Sequence, residues 1–364
     1  MYLLPKPKTI KEQDGQMLLC HSTHIVMTKE VAETEMHAAK RLQEAIRQET
    51  GFILPFSVGE VREGDLSLGI AKTLPEQTYE ITIDEKGGQI SGGDGAGVLY
   101  GVETFCQIVQ QCGGILPCVQ IQDAPDMPNR GYYFDQTRGR VLKLEELKKI
   151  ADRMCRYKLN QLQLYVEHTY LFRDFSEMWS DQTPLTAEEI LELDSYCRER
   201  HIELVPSLAS FGHLCTLLST KTYGDLCEME DSWKEPFSFW NRMRYHTINV
   251  SDERSLPLIK KMIAEYMQLF SSNKFNICAD ETFCLGKYKS KKLAEERGVH
   301  RLYIDYVKEL AQFLVENGKI PMFWGDIIWN SPELMKELPE SMICLNWGYA
   351  PEQREDETRA IAQT

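Results

Sequence analysis

Several familiar signals are missing from this chain. Its eleven cysteines are an odd number and no two form a C-x-x-C pair, which argues against a complete disulfide framework and against a zinc ribbon. Most of them sit in apolar segments, among them Cys155, Cys197, Cys278 and Cys344, where a thiol packs as a small hydrophobe. No apolar run approaches about 18 residues, and Met1–Pro7 lacks the basic-then-apolar order of a secretory leader. Positive charge is scarce: 41 Lys and Arg against 55 Asp and Glu leave a net charge of −14, with no basic patch. Such a surface repels phosphate backbones and anionic lipid, so neither nucleic acid nor membrane is expected as a partner. The expectation is a soluble protein of a reducing, cytoplasmic compartment.

What is present is ordinary globular composition, 43% hydrophobic and 26% charged over 364 residues, enough for two domains. Residues 1–122 read as a small α/β domain. Met36, Ala39, Leu42, Ala45 and Ile46 recur at helical spacing and Gly51 stops the run. Tyr79–Ile83 alternates as a strand, Lys86-Gly87-Gly88 turns, and a short strand follows. Gly92-Gly93-Asp94-Gly95-Ala96-Gly97 then leads into an apolar helix, Val98–Gln111. A glycine-rich stretch before a helix invites a phosphate-loop reading, but the G-x-G-x-x-G spacing and the P-loop Lys-Ser/Thr are absent. Tight packing against the strand is the reading favoured.

Asp123–Asn129, with two prolines, reads as a linker, and residues 123–364 as a second domain. Here short apolar runs alternate with amphipathic helices. Strands are expected at Gly131–Phe134, Leu159–Val166, Ile202–Leu208, Phe275–Ala279, Pro321–Trp324 and Met342–Trp347. Helices are expected between them at Lys143–Arg156, Ala187–Arg200, Ser255–Ser271, Arg301–Asn317 and Pro332–Leu338. Repeated βα units imply a parallel sheet, and without a Rossmann fingerprint the (β/α)8 TIM-type barrel is favoured over the open sheet. Only about six units are present, two short of closure, and the sequence ends at Thr364 within what would be the sixth helix.

In such a barrel, function sits at the C-terminal ends of the strands. Those positions hold Asp135 and Arg138, Glu167 and His168, His213, Asp280-Glu281, Trp324 and Asp326, and Trp347 and Tyr349. Carboxylates among aromatic platforms suit carbohydrate chemistry, with acid/base groups for an acetal and flat apolar faces for a sugar ring. Asp-Glu occurs four times, but only Asp280-Glu281 ends an apolar strand-like run. A strand-end cap or salt bridge is the bland alternative for that pair. For His213 and His168 it is a satisfied core histidine, and for Trp324, Trp329 and Trp347 a filled core. Trp179, Trp233 and Trp240 fall in long loops that either wall the site or pack on the surface. His21-x-x-His24 lacks further ligands and reads as structural, so no metal is expected.

Taken together these segments resemble a known family. Arg130-Gly131-Tyr132-Tyr133-Phe134-Asp135-Gln136-Thr137-Arg138 resembles the first-strand signature of glycoside hydrolase family 20, the β-N-acetylhexosaminidases. Lys158-Leu159-Asn160 is similar to its second strand, Glu203–Pro206 through Phe211-Gly212-His213 to its third, and Phe275 through Asp280-Glu281 to its fourth. Tyr79–Ile83 and Gly97–Gly101 resemble the small domain that precedes this barrel.

The resemblance implies a retaining exo-hydrolase of terminal β-linked GlcNAc or GalNAc. In that scheme the substrate's own 2-acetamido carbonyl attacks the anomeric carbon. Glu281 would be the acid/base and Asp280 would orient the acetamido group. Arg130 would bind sugar hydroxyls, His168 and His213 would support the acid network, and Trp324 and Trp347 would wall the acetamido pocket. No cofactor or metal is implied. Partners would be small-molecule or oligosaccharide substrates, with homo-oligomerisation left open. Alternatives are a catalytically silent sugar-binding barrel, or a glycosidase pairing Glu281 with Asp135 or Asp326.

Departures from the family pattern place Asn276, Cys278 and Ala279 where it commonly has His and Gly-Gly. Glu167-His168-Thr169 stands where it has an Asp pair, so either Glu167 or His168 fills that role. Seventh- and eighth-strand groups have no counterpart after Trp347. The expectation is a fragment of a longer enzyme, forming an open barrel of six strands or one completed by another chain.

Overall fold

The computed structural model describes residues 1–349. The chain divides into two compact units. The first comprises Met1–Tyr132, Glu145–Gln161 and Ser195–Glu203, and the second Tyr133–Leu144, Leu162–Asp194 and the residues from Leu204 onward.

The first unit is built on a seven-stranded sheet. Its strands are β1 (Thr9–Leu18), β2 (Ile25–Met27), β3 (Phe56–Val58), β4 (Leu66–Ile70), β5 (Tyr79–Asp84), β6 (Gly87–Gly92) and β7 (Ile115–Asp123), in the order β1-β7-β5-β6-β4-β2-β3. Strands β5 and β6 alternate buried positions with half-buried or exposed ones and pair antiparallel across a tight turn, where Asp84 Oδ1 accepts the Lys86 N–H. Helix Met36–Thr50 buries Ala38, Ala39, Leu42, Ala45 and Ile46 and ends at Gly51 in the left-handed region, as its spacing predicts.

The apolar helix runs from Gly95 to Cys112, and the glycines before it serve packing. A Cβ on Gly93 would lie 1.9 Å from the Pro75 carbonyl oxygen, and one on Gly97 would lie 2.2 Å from that of Thr78. The Asp94 carboxylate accepts the Gly97 N–H at 2.7 Å, filling the helix N-terminus with the protein's own anion. His24 bonds Ser57 and the His21 ring packs on Phe52, so the H-x-x-H pair is structural.

The second sheet has six strands, β8 (Gly131–Asp135), β9 (Gln161–Val166), β10 (Glu203–Leu208), β11 (Lys274–Asn276), β12 (Ile320–Trp324) and β13 (Ile343–Leu345). They lie in strict chain order, with β10 through β13 paired in parallel. This is the winding of a TIM-type barrel. Among the described residues the sheet is open, with β8 and β13 at its edges. Helix Val299–Glu316 turns Tyr303, Tyr306, Leu310 and Leu314 inward, and Phe211 stacks on Tyr303 at 5.6 Å.

All six expected strands form, the sixth ending at Leu345, and so do the helices between them, the last as a 3-10 helix over Pro332–Glu337; one further difference is informative. The fourth strand ends at Asn276 rather than Ala279. Cys278 and Ala279 take φ of +57° and +63°, which no strand accommodates. The Cys278 N–H turns back to Asn276 Oδ1 at 2.9 Å, and the backbone leaves the ladder.

Candidate active site

The turn that ends β11 carries the Asp-Glu pair. Cys278, Ala279 and Glu281 all have positive φ although none is glycine, an arrangement that costs on the order of 1 kcal/mol or more per residue. Fixed groups hold it. Ser210 Oγ donates to the Ile277 carbonyl at 2.6 Å and the Tyr303 hydroxyl to that of Ala279 at 3.0 Å. The Glu281 N–H donates to Asp326 Oδ2 at 3.1 Å. Such strain concentrates where side-chain placement matters for chemistry.

His213, itself left-handed at φ +59°, binds the two acids together. Its Nε2 lies 3.3 Å from Asp280 Oδ2 and 3.3 Å from Glu281 Oε2. One N–H cannot point at both oxygens, so the contact is a shared ion pair rather than two linear hydrogen bonds. Burial opposes the charged imidazolium, but Asp280 and Glu281 outweigh it and raise its pKa to about 10. Ligand atoms of these three residues lie within 4.8 Å of one another, the one such convergence among the described residues that would suit a metal ion. With the imidazole protonated, the same three residues make an acid pair with its counter-cation.

Asp280 and Glu281 open onto a cavity of about 470 Å³ whose walls include Tyr133, Tyr165, Trp324 and Trp347. Tyr133 meets Trp324 edge-to-face at 5.1 Å, making an apolar corner beside the carboxylates. Beneath it the Tyr133 hydroxyl reaches Ser207 Oγ at 3.0 Å, and Ser207 reaches Cys278 Sγ at 3.3 Å. Asp326 lies deeper; burial and the nearby charge of Asp280 push its carboxyl up to about 7.

Glu281, Asp280, His213, Trp324 and Trp347 are thus brought together. His168 and Arg130 are not part of this cavity wall. His168 is buried with Nδ1 on Thr216 at 3.2 Å, and burial lowers its pKa to about 4, leaving a neutral ring. Its neighbour Glu167 holds the charged position instead. It accepts from the Tyr165 hydroxyl at 3.0 Å and from Arg242 at 2.9 Å, and its carboxyl is raised by burial against the pull of Arg242 and His213. Arg130 is committed within the first unit, donating to the carbonyls of Lys158, Met127 and Pro128, to Gln77 Oε1 and to the Tyr100 hydroxyl.

Of the two arginines flanking β8 it is Arg138 that lines the cavity, tied to Asp135 at 2.6 Å and lying 4.8 Å over the Tyr165 ring. A topological signal distinguishes the two. Arg130 precedes β8 and Arg138 follows its C-terminal end, where barrel chemistry is placed. Trp179 donates its indole N–H to the Phe172 carbonyl and packs there, whereas Trp240 reaches the cavity. Phe239, Met243 and Phe283 also line it and carry no sequence signal beyond their apolar character.

A family model for glycosyl hydrolase family 20, domain 2, matches residues 1–124, and the family's catalytic-domain model matches residues 128–363. A β-hexosaminidase of Porphyromonas gingivalis is 24% identical over 363 residues, covering 90% of this chain and 45% of that protein. A β-hexosaminidase of Vibrio furnissii is 26% identical, covering 77% and 48%. The chain spans about half the length of these curated relatives. The solved structure of Streptomyces plicatus N-acetyl-β-hexosaminidase superposes with a TM-score of 0.81 at 19% identity, covering 99% of this chain and 71% of that one.

Proposed function

The chain belongs to glycosyl hydrolase family 20, and on that premise we propose that it hydrolyses terminal β-linked N-acetylglucosamine or N-acetylgalactosamine, exo-acting and with retention. The observation that carries this reading is the Asp280–His213–Glu281 cluster on a strained turn facing an aromatic-walled cavity.

Glu281 donates a proton to the glycosidic oxygen as the bond to the anomeric carbon breaks. The substrate's acetamido carbonyl oxygen closes onto that carbon from the opposite face, giving an oxazolinium-like ring. Asp280 accepts the acetamido N–H, fixes the internal nucleophile and offsets the positive charge developing on its nitrogen. Water, deprotonated by Glu281, then reopens the ring, and two inversions give retention. His213, cationic at working pH, supplies the counter-charge beside the acid pair. Tyr133, Trp324 and Trp347 supply flat apolar surface for the sugar and its methyl group.

The two-carboxylate alternative finds its partners occupied. Asp135 holds Arg138 and the backbone N–H groups of Thr137 and Arg138, and Asp326 holds the Glu281 backbone. No helix among the described residues is long and apolar enough to cross a membrane. All eleven thiols are free.

The test is hydrolysis of aryl glucosaminides whose 2-acetamido group carries zero to three fluorines. Rates should fall progressively as the carbonyl loses nucleophilicity, and a flat series would remove the substrate's carbonyl from the mechanism.

A further inference from the structure

Three arginines follow the strand ends near the cavity, and their partners differ. Arg138 is paired with Asp135 and Arg242 with Glu167. Arg244 lines the cavity, is exposed, and has no hydrogen-bond or ion-pair partner for its guanidinium among the described residues. It has aromatic neighbours instead: its Cζ stands 5.2 Å from the Trp240 ring centroid and 6.0 Å from that of Phe283.

The placement follows from the local fold. Ser238 caps the short helix Phe239–Arg244 by accepting the Asn241 N–H. The Arg242 pair with buried Glu167 anchors the helix, and the Cys284 thiol grips the Arg244 carbonyl at 3.0 Å. Trp240 and Arg244, four residues apart, share one face. Phe283 is fixed next to the acid, its N–H donating to the Glu281 carbonyl at 2.7 Å. The leaving group must depart past the residue that protonates its oxygen, so the guanidinium held over Phe283 belongs to the leaving-group side of the site.

We propose that Arg244, steered by Trp240 and Phe283, receives an anionic group on the sugar next to the terminal N-acetylhexosamine, selecting acidic over neutral aglycones. This rests on the hexosaminidase reading above. An aromatic-held guanidinium is weakly hydrated and presents its N–H fork to a carboxylate or sulfate. The cavity otherwise offers Asp280 and Glu281 to an incoming anion, and Arg244 is the unpaired cation that offsets them.

The test is calorimetric titration of the full chain carrying E281Q, which holds substrates without turnover. The ligands are N-acetylglucosamine, a disaccharide in which it is β-linked to a uronate, the methyl ester of that disaccharide, and a counterpart with a sulfated leaving sugar. The uronate or the sulfate should bind about tenfold more tightly than the neutral ester, about 1.4 kcal/mol, and the two anions separate the sources of charge. That preference should shrink with added salt. It should also fall to near unity in R244A/E281Q and partly return in R244K/E281Q. Equal binding of acid and ester by E281Q overturns the selectivity and leaves the hexosaminidase reading intact. Absence of binding by every ligand, monosaccharide included, overturns both.

Discussion

Two turns in this protein face a similar demand and meet it with opposite residues. The turn from β6 into helix Gly95–Cys112 uses Gly92, Gly93 and Gly97, because backbone atoms approach too closely for a Cβ. The turn after β11 holds Cys278, Ala279 and Glu281 in the left-handed region without a glycine among them. In the first, space alone decides, and glycine removes the conflict. In the second, the proposed mechanism needs the Glu281 side chain, so glycine is not an option there and the surrounding hydrogen bonds must hold the strain. Cys278 and Ala279 stand where the family commonly has Gly-Gly, which extends the strain to residues whose side chains the reaction does not need.

That contrast is broken most directly at Glu281. E281Q keeps the turn but removes the proton, so turnover should fall by roughly 10²–10⁴-fold with little change in urea midpoint. The glycine turn should behave in reverse. Gly97→Ala drives a Cβ against the Thr78 carbonyl, and we expect a stability loss of about 3 kcal/mol or more in urea unfolding. If Gly97→Ala is tolerated, the packing account of that turn is wrong.

Charge response sharpens the comparison, because His213 and Asp326 both lie against the second turn. His213 has a folded pKa raised to about 10, so its contribution is complete below about pH 6.5 and is lost as pH rises through about 10. The stability gap between the protein and H213Q should therefore shrink between those limits by roughly 2–4 kcal/mol. Asp326, raised to about 7, costs nothing below about pH 4, and its penalty grows as pH climbs from there and is complete above about 7. D326N, which keeps an acceptor for the Glu281 N–H, should gain roughly 2 kcal/mol relative to the parent between those pH values. The smallest effect is expected at Ala279→Gly, where relief of the left-handed strain is partly offset by glycine's greater unfolded freedom, leaving a stabilisation of about 0–1 kcal/mol.

The barrel strands and helices were legible because each is a short apolar run or an amphipathic repeat bounded by turn residues. The carboxylate pair was legible because it ended such a run. The first unit's β1, β2, β3 and β7 were harder to read, since β2 and β3 span three residues each and β1 is mostly exposed. Choosing Arg130 over Arg138 followed motif likeness, where position relative to the strand's C-terminal end was the better physical guide. Glu167 and His168 differ by one residue along a strand end, and only packing decides which faces Arg242 and which Thr216. Arg244 gave no sign, because its meaning lies in the two rings beside it.

The central claim is that the Asp280–Glu281 turn serves a reaction in which the substrate supplies its own nucleophile. Its most direct test is the initial rate of 4-nitrophenol release from the N-acetyl-β-glucosaminide beside the matching β-glucoside, with E281Q as control. The account predicts release from the N-acetyl substrate alone, lowered by E281Q at least about 10²-fold. Comparable release from the glucoside, or release undiminished by E281Q, would contradict it.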